Sequence, residues 1–220
     1  MFLEVRGVLT PQETARLQAI AGQVAFVDGR ISNPANETKQ NLQADQQHPL
    51  AGEAAAAISA ALLRCREFRD YAFPKIIAPP LLARYAPGMK YGAHYDAAFM
   101  PAGAAPLRSD ISATVFLAPP ESYDGGELAI TQGTRTTSFK LNPGDAVFYP
   151  STTLHEVVPV RAGQRLVAIT FIQSLLRDPV QRETLYQLNE VAAQEGNKMR
   201  WENRMRLEGV RNNLLRAWAD

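Results

Sequence analysis

The sequence predicts an α+β fold that is mainly β: a double-stranded β-helix, or jelly roll, with N-terminal helices bracing the sheet and a C-terminal helical extension. Three observations carry this. Up to about residue 74 apolar residues recur at helical spacing, from 75 to 174 the texture changes to short apolar runs cut by Pro, Gly and Asp, and beyond 175 the helical spacing returns. Short strands separated by turn signals favour two packed antiparallel sheets over alternating βαβ units. The organisation read from this is 1–74 as helical support, 75–174 as core and 175–220 as extension.

At the N-terminal end, Thr10-Pro11-Gln12-Glu13 is a helix start: Thr10 caps, Pro11 suits the first turn and Glu13 completes a capping box. Leu17, Ile20 and Val24 follow at helical spacing, a face for the core. Residues 28–48 are polar, rich in Asn and Gln and without apolar periodicity, so they read as a long loop, either a connector or a lid over a site. His48 precedes Pro49 at a second helix start and has no ligand spacing around it. The alanine-rich run from Leu50 to Cys65 is strongly helix-forming.

Candidate strands are 75–78, 81–85, 91–96, 111–117, 127–131, 136–141, 145–149, 154–160 and 165–173. Asp124-Gly125-Gly126, Gln132-Gly133-Thr134, Asn142-Pro143-Gly144-Asp145 and Arg161-Ala162-Gly163-Gln164 supply turn chemistry between them. The loop 97–110 reads as an overhang on whatever His94 and Asp96 build. Arg161 opposite Arg165 would close 154–173 as a hairpin around a three-residue loop, with Arg165 inward. Asp178-Pro179 opens a C-terminal helix, Gly196 interrupts it, and Trp201, Met205, Leu214 and Trp218 mark the apolar edge of a last helical segment that packs on the barrel or on another subunit while its basic residues stay in water.

Composition narrows the function classes. At 220 residues and 46% hydrophobic the chain can bury a real core. A formal charge of +1 offers no global basic field for nucleic acid or an anionic membrane. The first apolar run is broken by charges, and no later stretch is long enough to cross a bilayer, so a cytoplasmic protein is the expectation. The single Cys65 forms no internal disulfide and reads as structural.

Chemistry concentrates in His94-Tyr95-Asp96. If this is extended strand, His94 and Asp96 share a face and can hold one ion between them. By itself the pair is also explained by a carboxylate that fixes an imidazole tautomer. His155 lies in a second strand–loop–strand stretch, and Arg165 follows ten residues later. Two imidazoles and a carboxylate form the facial triad that suits non-haem Fe(II) and leaves positions open. A nearby arginine is a natural grip for a carboxylate, unless it merely pairs with Glu156 or Asp145.

The ordered set of Arg84-Tyr85-Ala86-Pro87-Gly88, His94-x-Asp96, Asp124-Gly125-Gly126-Glu127-Leu128, His155 and Arg165 resembles the Fe(II)/2-oxoglutarate dioxygenases of the prolyl-4-hydroxylase type, and within them the bacterial PKHD-type hydroxylases associated with iron uptake. Gln173-Ser174-Leu175-Leu176-Arg177-Asp178-Pro179-Val180-Gln181-Arg182 extends the likeness toward the C-terminus. The resemblance implies Fe(II) on His94, Asp96 and His155, with 2-oxoglutarate held through Arg165 and Tyr85. It implies hydroxylation of a small-molecule or peptidyl substrate with O2, 2-oxoglutarate being decarboxylated to succinate and CO2, and L-ascorbate as a reductant. Relatives carry a second cosubstrate tyrosine near Phe116, which has no hydroxyl; Thr114 and Tyr149 are the substitutes at hand. The rival from another class is a metal- and carboxylate-binding jelly-roll sensor without turnover. No nucleic-acid or membrane partner is expected, and the C-terminal helices offer a surface for homo-oligomers.

Overall fold

The computed structural model describes residues 1–101 and 105–220. Its strands in chain order are β1 (Leu3–Val5), β2 (Phe26–Asp28), β3 (Lys39–Gln40), β4 (Leu42–Ala44), β5 (Pro74–Ile77), β6 (Leu81–Tyr85), β7 (Lys90–His94), β8 (Phe99–Met100) and β9 (Leu107–Arg108). They continue with β10 (Ile111–Phe116), β11 (Tyr123–Gly125), β12 (Leu128–Gln132), β13 (Arg135–Phe139), β14 (Ala146–Pro150), β15 (Leu154–Val157), β16 (Val160–Gly163) and β17 (Arg165–Ser174). The helices are α1 (Pro11–Gln23), α2 (Pro49–Arg64), α3 (Arg66–Ala72), α4 (Pro179–Glu195) and α5 (Trp201–Trp218).

Two antiparallel sheets dominate. The larger runs β1-β14-β10-β17-β6-β4-β2 with β5 also on β17, and the smaller runs β13-β12-β15-β7-β3. Strand parity sorts the large sheet's side chains to two faces. Ala83, Tyr85, Phe116, Val147, Tyr149 and Val167 face the small sheet and form one core with its Leu128, Ile130, Phe139 and Val157. The opposite face, with Leu82, Ile111, Ala113, Val115, Phe148 and Ile172, packs on Leu17 and Ile20 of α1, Ile58 and Leu62 of α2, and Phe68 of α3. The site therefore belongs to the space between the sheets.

Local sequence signals account for the helix starts. Thr10 caps α1, its hydroxyl accepting from the Glu13 N–H while Glu13 accepts from the Thr10 N–H. His48 caps α2, Nδ1 accepting from the Leu50 N–H at 3.2 Å. Asp178 does the same for α4 through the Val180 N–H at 2.7 Å.

Four expectations are corrected. Residues 28–48 are not one loop: β2 and β4 extend the large sheet and β3 edges the small one. The predicted strand 154–160 breaks after Val157, and β16 pairs with β11 rather than with β17, so no Arg161–Arg165 hairpin forms. The break falls at Pro159, which has no N–H to give to a ladder. Cys65 lies between α2 and α3 rather than inside one helix, with burial pushing its thiol up. The apolar edge of α5 does not close on the barrel, since Trp201 and Met205 are exposed and Leu214 and Trp218 only partly covered; of the two packings expected, the one on another subunit stays open. The overhang expected over 97–110 falls partly outside the described residues; within them, Phe99–Met100 pairs with Leu107–Arg108 as a short ribbon.

A candidate metal and dicarboxylate site

His94 and His155 are direct cross-strand partners of β7 and β15. His155 also stands opposite Ile130, a core residue, so both imidazoles enter the space between the sheets. In the next pairing Val157 stands opposite Tyr91, so β7 uses three residues where β15 uses two. That bulge lets Tyr91 and His94, of opposite parity, share a face, and their rings stack with centroids 3.6 Å apart. The strand ends at His94, which corrects the alternation argument for Asp96. Its carboxylate is brought in by the segment after the strand and fastened from the other sheet, where the Ser112 hydroxyl donates to Asp96 Oδ2 at 2.5 Å.

The three groups converge. One ligand atom from each of His94, Asp96 and His155 lies within 4.8 Å of the others. His94 Nε2 is 3.9 Å from Asp96 Oδ1 and His155 Nε2 is 3.7 Å from Asp96 Oδ2. Both outer nitrogens are committed: His94 Nδ1 lies 2.8 Å from the Gly92 carbonyl and His155 Nδ1 2.9 Å from the Thr153 carbonyl. A carbonyl only accepts, so each Nδ1 carries the proton and each Nε2 presents its lone pair inward. Burial, and then the second imidazole, pushes the His94 pKa down to about 4, which keeps that lone pair free near neutrality. The Tyr149 ring stands edge-on to His155 at 4.9 Å, from the residue opposite Ser112 in the β10–β14 pair. One row of the large sheet thus holds two members of the cluster.

Arg165 is 1% exposed and faces the same interior. It forms no salt bridge among the described residues, Glu156 and Asp145 included, and its Nε has no hydrogen-bond partner. Its guanidinium carbon lies 4.9 Å from the Tyr85 ring centroid and 5.8 Å from that of Phe116. Cation–π contacts of this kind offset about 0.5–2 kcal/mol each, less than the several kcal/mol that burying an unpaired charge costs. Tyr85 accepts from Asn41 Nδ2 at 3.1 Å, leaving its own O–H to donate elsewhere. Tyr149, pushed well up by burial, lies within electrostatic reach of both Asp96 and Arg165, so it marks the path from the triad to the guanidinium. Phe116 turns its ring to Arg165 and cannot add a hydrogen bond.

Sequence reasoning missed several side chains that shape this space: Ser112 on Asp96, Asn41 on Tyr85, and the near-buried Lys39 of β3. Each arrives through a long-range pairing with no local pattern. Tyr123 is another; its buried hydroxyl has no partner among the described residues, and it borders, with Arg165, the room above Gly126.

Comparison with known proteins agrees with this geometry. Residues 80–173 match the family model of the 2OG-Fe(II) oxygenase superfamily. A PKHD-type hydroxylase of Sphingopyxis alaskensis is 49% identical over 204 residues, covering 92% of each chain. One of Xanthomonas campestris is 40% identical over 227 residues and the full length of both. Among solved structures, a viral collagen prolyl hydroxylase of Paramecium Bursaria Chlorella virus-1 superposes with a TM-score of 0.53 at 19% identity, covering 79% of this chain and 95% of the other, a likeness of fold. Fold and cluster define the class: a 2-oxoglutarate-dependent non-haem iron oxygenase. Within it, the chain belongs to the PKHD-type hydroxylases. The sensor alternative without turnover falls with that.

Proposed function

We propose that His94, Asp96 and His155 hold Fe(II) and that Arg165 and Tyr85 take the far carboxylate of 2-oxoglutarate. The observation that carries this reading is what the space between the sheets brings together: ligand atoms of His94, Asp96 and His155 that converge within 4.8 Å, and a buried Arg165 guanidinium with no acidic partner among the described residues. Two neutral imidazoles and one carboxylate suit Fe(II) in a facial arrangement. A planar fork suits a carboxylate.

Bound there, metal and cosubstrate supply the oxidative decarboxylation of 2-oxoglutarate to succinate and CO2 that is coupled to hydroxylation of a C–H bond. The chain's own residues do the rest. Gly92 and Thr153 carbonyls fix the imidazole tautomers, Ser112 orients Asp96, and Arg165 and Tyr85 set the diacid's register along the strands. Val147 and Val167 are buried on the interior face that carries Arg165, with the partly buried Ile169 packed against them, and this apolar packing limits water there.

In the finer reading, 1–74 supports a catalytic core of 75–174 and 175–220 extends it. The substrate is a small molecule or a peptidyl group, with bacterial iron uptake as its setting, ascorbate as reductant and the cytoplasm as location. No helix among the described residues is long and apolar enough to cross a membrane. Self-association would use α5. The test is succinate formed from 2-oxoglutarate by the Fe(II)-loaded protein in air. Turnover that disappears in Asp96→Ala supports the reading, and turnover that persists there contradicts it.

A further inference from the structure

Lys39 carries a charge that the site described above does not use. It stands opposite Tyr91 in the β3–β7 pair, so both side chains leave the sheet on the face where Tyr91 stacks on His94. The residue is 5% exposed. Its Nζ donates to Ser32 Oγ at 2.5 Å and lies 5.4 Å from the Tyr91 ring centroid. Among the described residues it forms no salt bridge; Asp96 and Asp28 act on it only at a distance, and desolvation outweighs them. Asn33 Nδ2 donates to the Tyr91 hydroxyl at 3.1 Å, completing a polar pocket beside the imidazole.

The placement is built. The Gly92 N–H donates to the Thr38 carbonyl at 3.3 Å, and a Cβ on Gly92 would stand 2.9 Å from Thr38 Cβ and Oγ1, so β3 sits closer to β7 than a side chain there would allow. An ammonium held inside without a contacting anion is costly, and a hydroxyl and an aromatic face offset only part of that. On the Fe(II)/2-oxoglutarate reading above, on which this inference rests, metal, Asp96, cosubstrate and Arg165 together are neutral. Lys39 then leaves one positive charge beside the metal.

We propose that Lys39 is a specificity-determining residue whose ammonium, with Ser32, Asn33 and Tyr91 around it, binds a carboxylate carried by the molecule to be hydroxylated. Arg165 serves the cosubstrate and Lys39 the substrate. The class of substrate that follows is an acid, such as a free or N-acylated amino acid, rather than a neutral internal residue of a chain.

The test uses full-length protein loaded anaerobically with Fe(II) and 2-oxoglutarate and titrated with N-acetyl amino acids and the same compounds as primary amides. Calorimetry and the visible absorption band of the loaded protein are the readouts. Wild-type protein binds at least one acid about tenfold or more tighter than its amide, Lys39→Met loses that preference while keeping 2-oxoglutarate affinity within about threefold, and Lys39→Arg restores it. No acid preference in the wild type, a preference that survives in Lys39→Met, or a tenfold loss of 2-oxoglutarate affinity in Lys39→Met each overturns the proposal. Failure of the wild type to form the band at all counts instead against the metal and cosubstrate reading.

Discussion

Arg165 and Tyr85 stand directly opposite each other in the β6–β17 pair, with the guanidinium carbon 4.9 Å from the phenol ring centroid. Direct opposition puts both side chains on the interior face. Nothing acidic contacts the guanidinium among the described residues. Arg165→Ala should therefore weaken 2-oxoglutarate by about 100-fold or more, the ~3 kcal/mol typical of truncating one side of a buried charge contact. Fe(II) affinity should stay within a few-fold. Arg165→Lys keeps the charge without the fork and should fall between. Equilibrium dialysis of both ligands checks this; equal losses for metal and diacid would point to misfolding rather than a lost grip.

Gly126 guards that same arginine. Its φ is +68°, and a Cβ there would stand 2.9 Å from Val160 Cγ2 and 3.1 Å from Arg165 Cδ. Gly126→Ala should cost about 1–3 kcal/mol of stability from backbone strain and crowding, and should also weaken 2-oxoglutarate by displacing Arg165. Urea unfolding with dialysis measures both. An alanine variant unchanged in each would show that the arginine does not depend on the bare backbone beneath it.

Ser112 reaches Asp96 from the opposite sheet. Ser112→Ala should lower Fe(II) affinity about 10–100-fold, the usual effect of removing a hydrogen bond to a ligand carboxylate. It should also cost the metal-free protein about 1–3 kcal/mol, because the buried Ser112 hydroxyl bonds Ser151 at 2.8 Å as well as Asp96. A chelator competition titration reads the affinity, and an unchanged constant would remove Ser112 from the account.

The metal-free protein should lose stability on the acid side. Burial and the neighbouring His155 hold His94 at about 4, below its ordinary 6.5, so protons favour the unfolded chain. The contribution of His94 is therefore full above pH 6.5, declines as pH falls from 6.5 toward 4, and changes no further below that. Urea titrations at intervals between pH 7.5 and 4 should show this decline, and His94→Gln should flatten it. Identical slopes in the two proteins would place the acid sensitivity elsewhere.

What could be read from the chain divides along physical lines. Cap chemistry at Thr10, His48-Pro49 and Asp178-Pro179 is local, and those helix starts stand where the sequence put them. His94, Asp96, His155 and Arg165 were recognisable from their order and residue type, and the structure brings the first three together and buries the fourth in the same interior. The route to Asp96 was not recognisable, because the bulge between Tyr91 and His94 and the strand end at His94 follow from pairing with β15. Pairing choices were equally hidden for β16, which joins β11, and for β3, whose two residues have no periodicity to reveal them. Register between distant segments is set by three-dimensional burial, and a single sequence shows it only where the hydrophobic alternation is long.

The central claim is that one cavity binds metal through His94, Asp96 and His155 and the diacid through Arg165. Anaerobic addition of Fe(II) and 2-oxoglutarate tests it most directly through the weak visible charge-transfer band of a 2-oxo acid chelated to iron. The account predicts a band that needs both components, vanishes in His155→Ala, and in Arg165→Ala returns only at far higher 2-oxoglutarate. A band of undiminished intensity in His155→Ala at equal iron occupancy would contradict it.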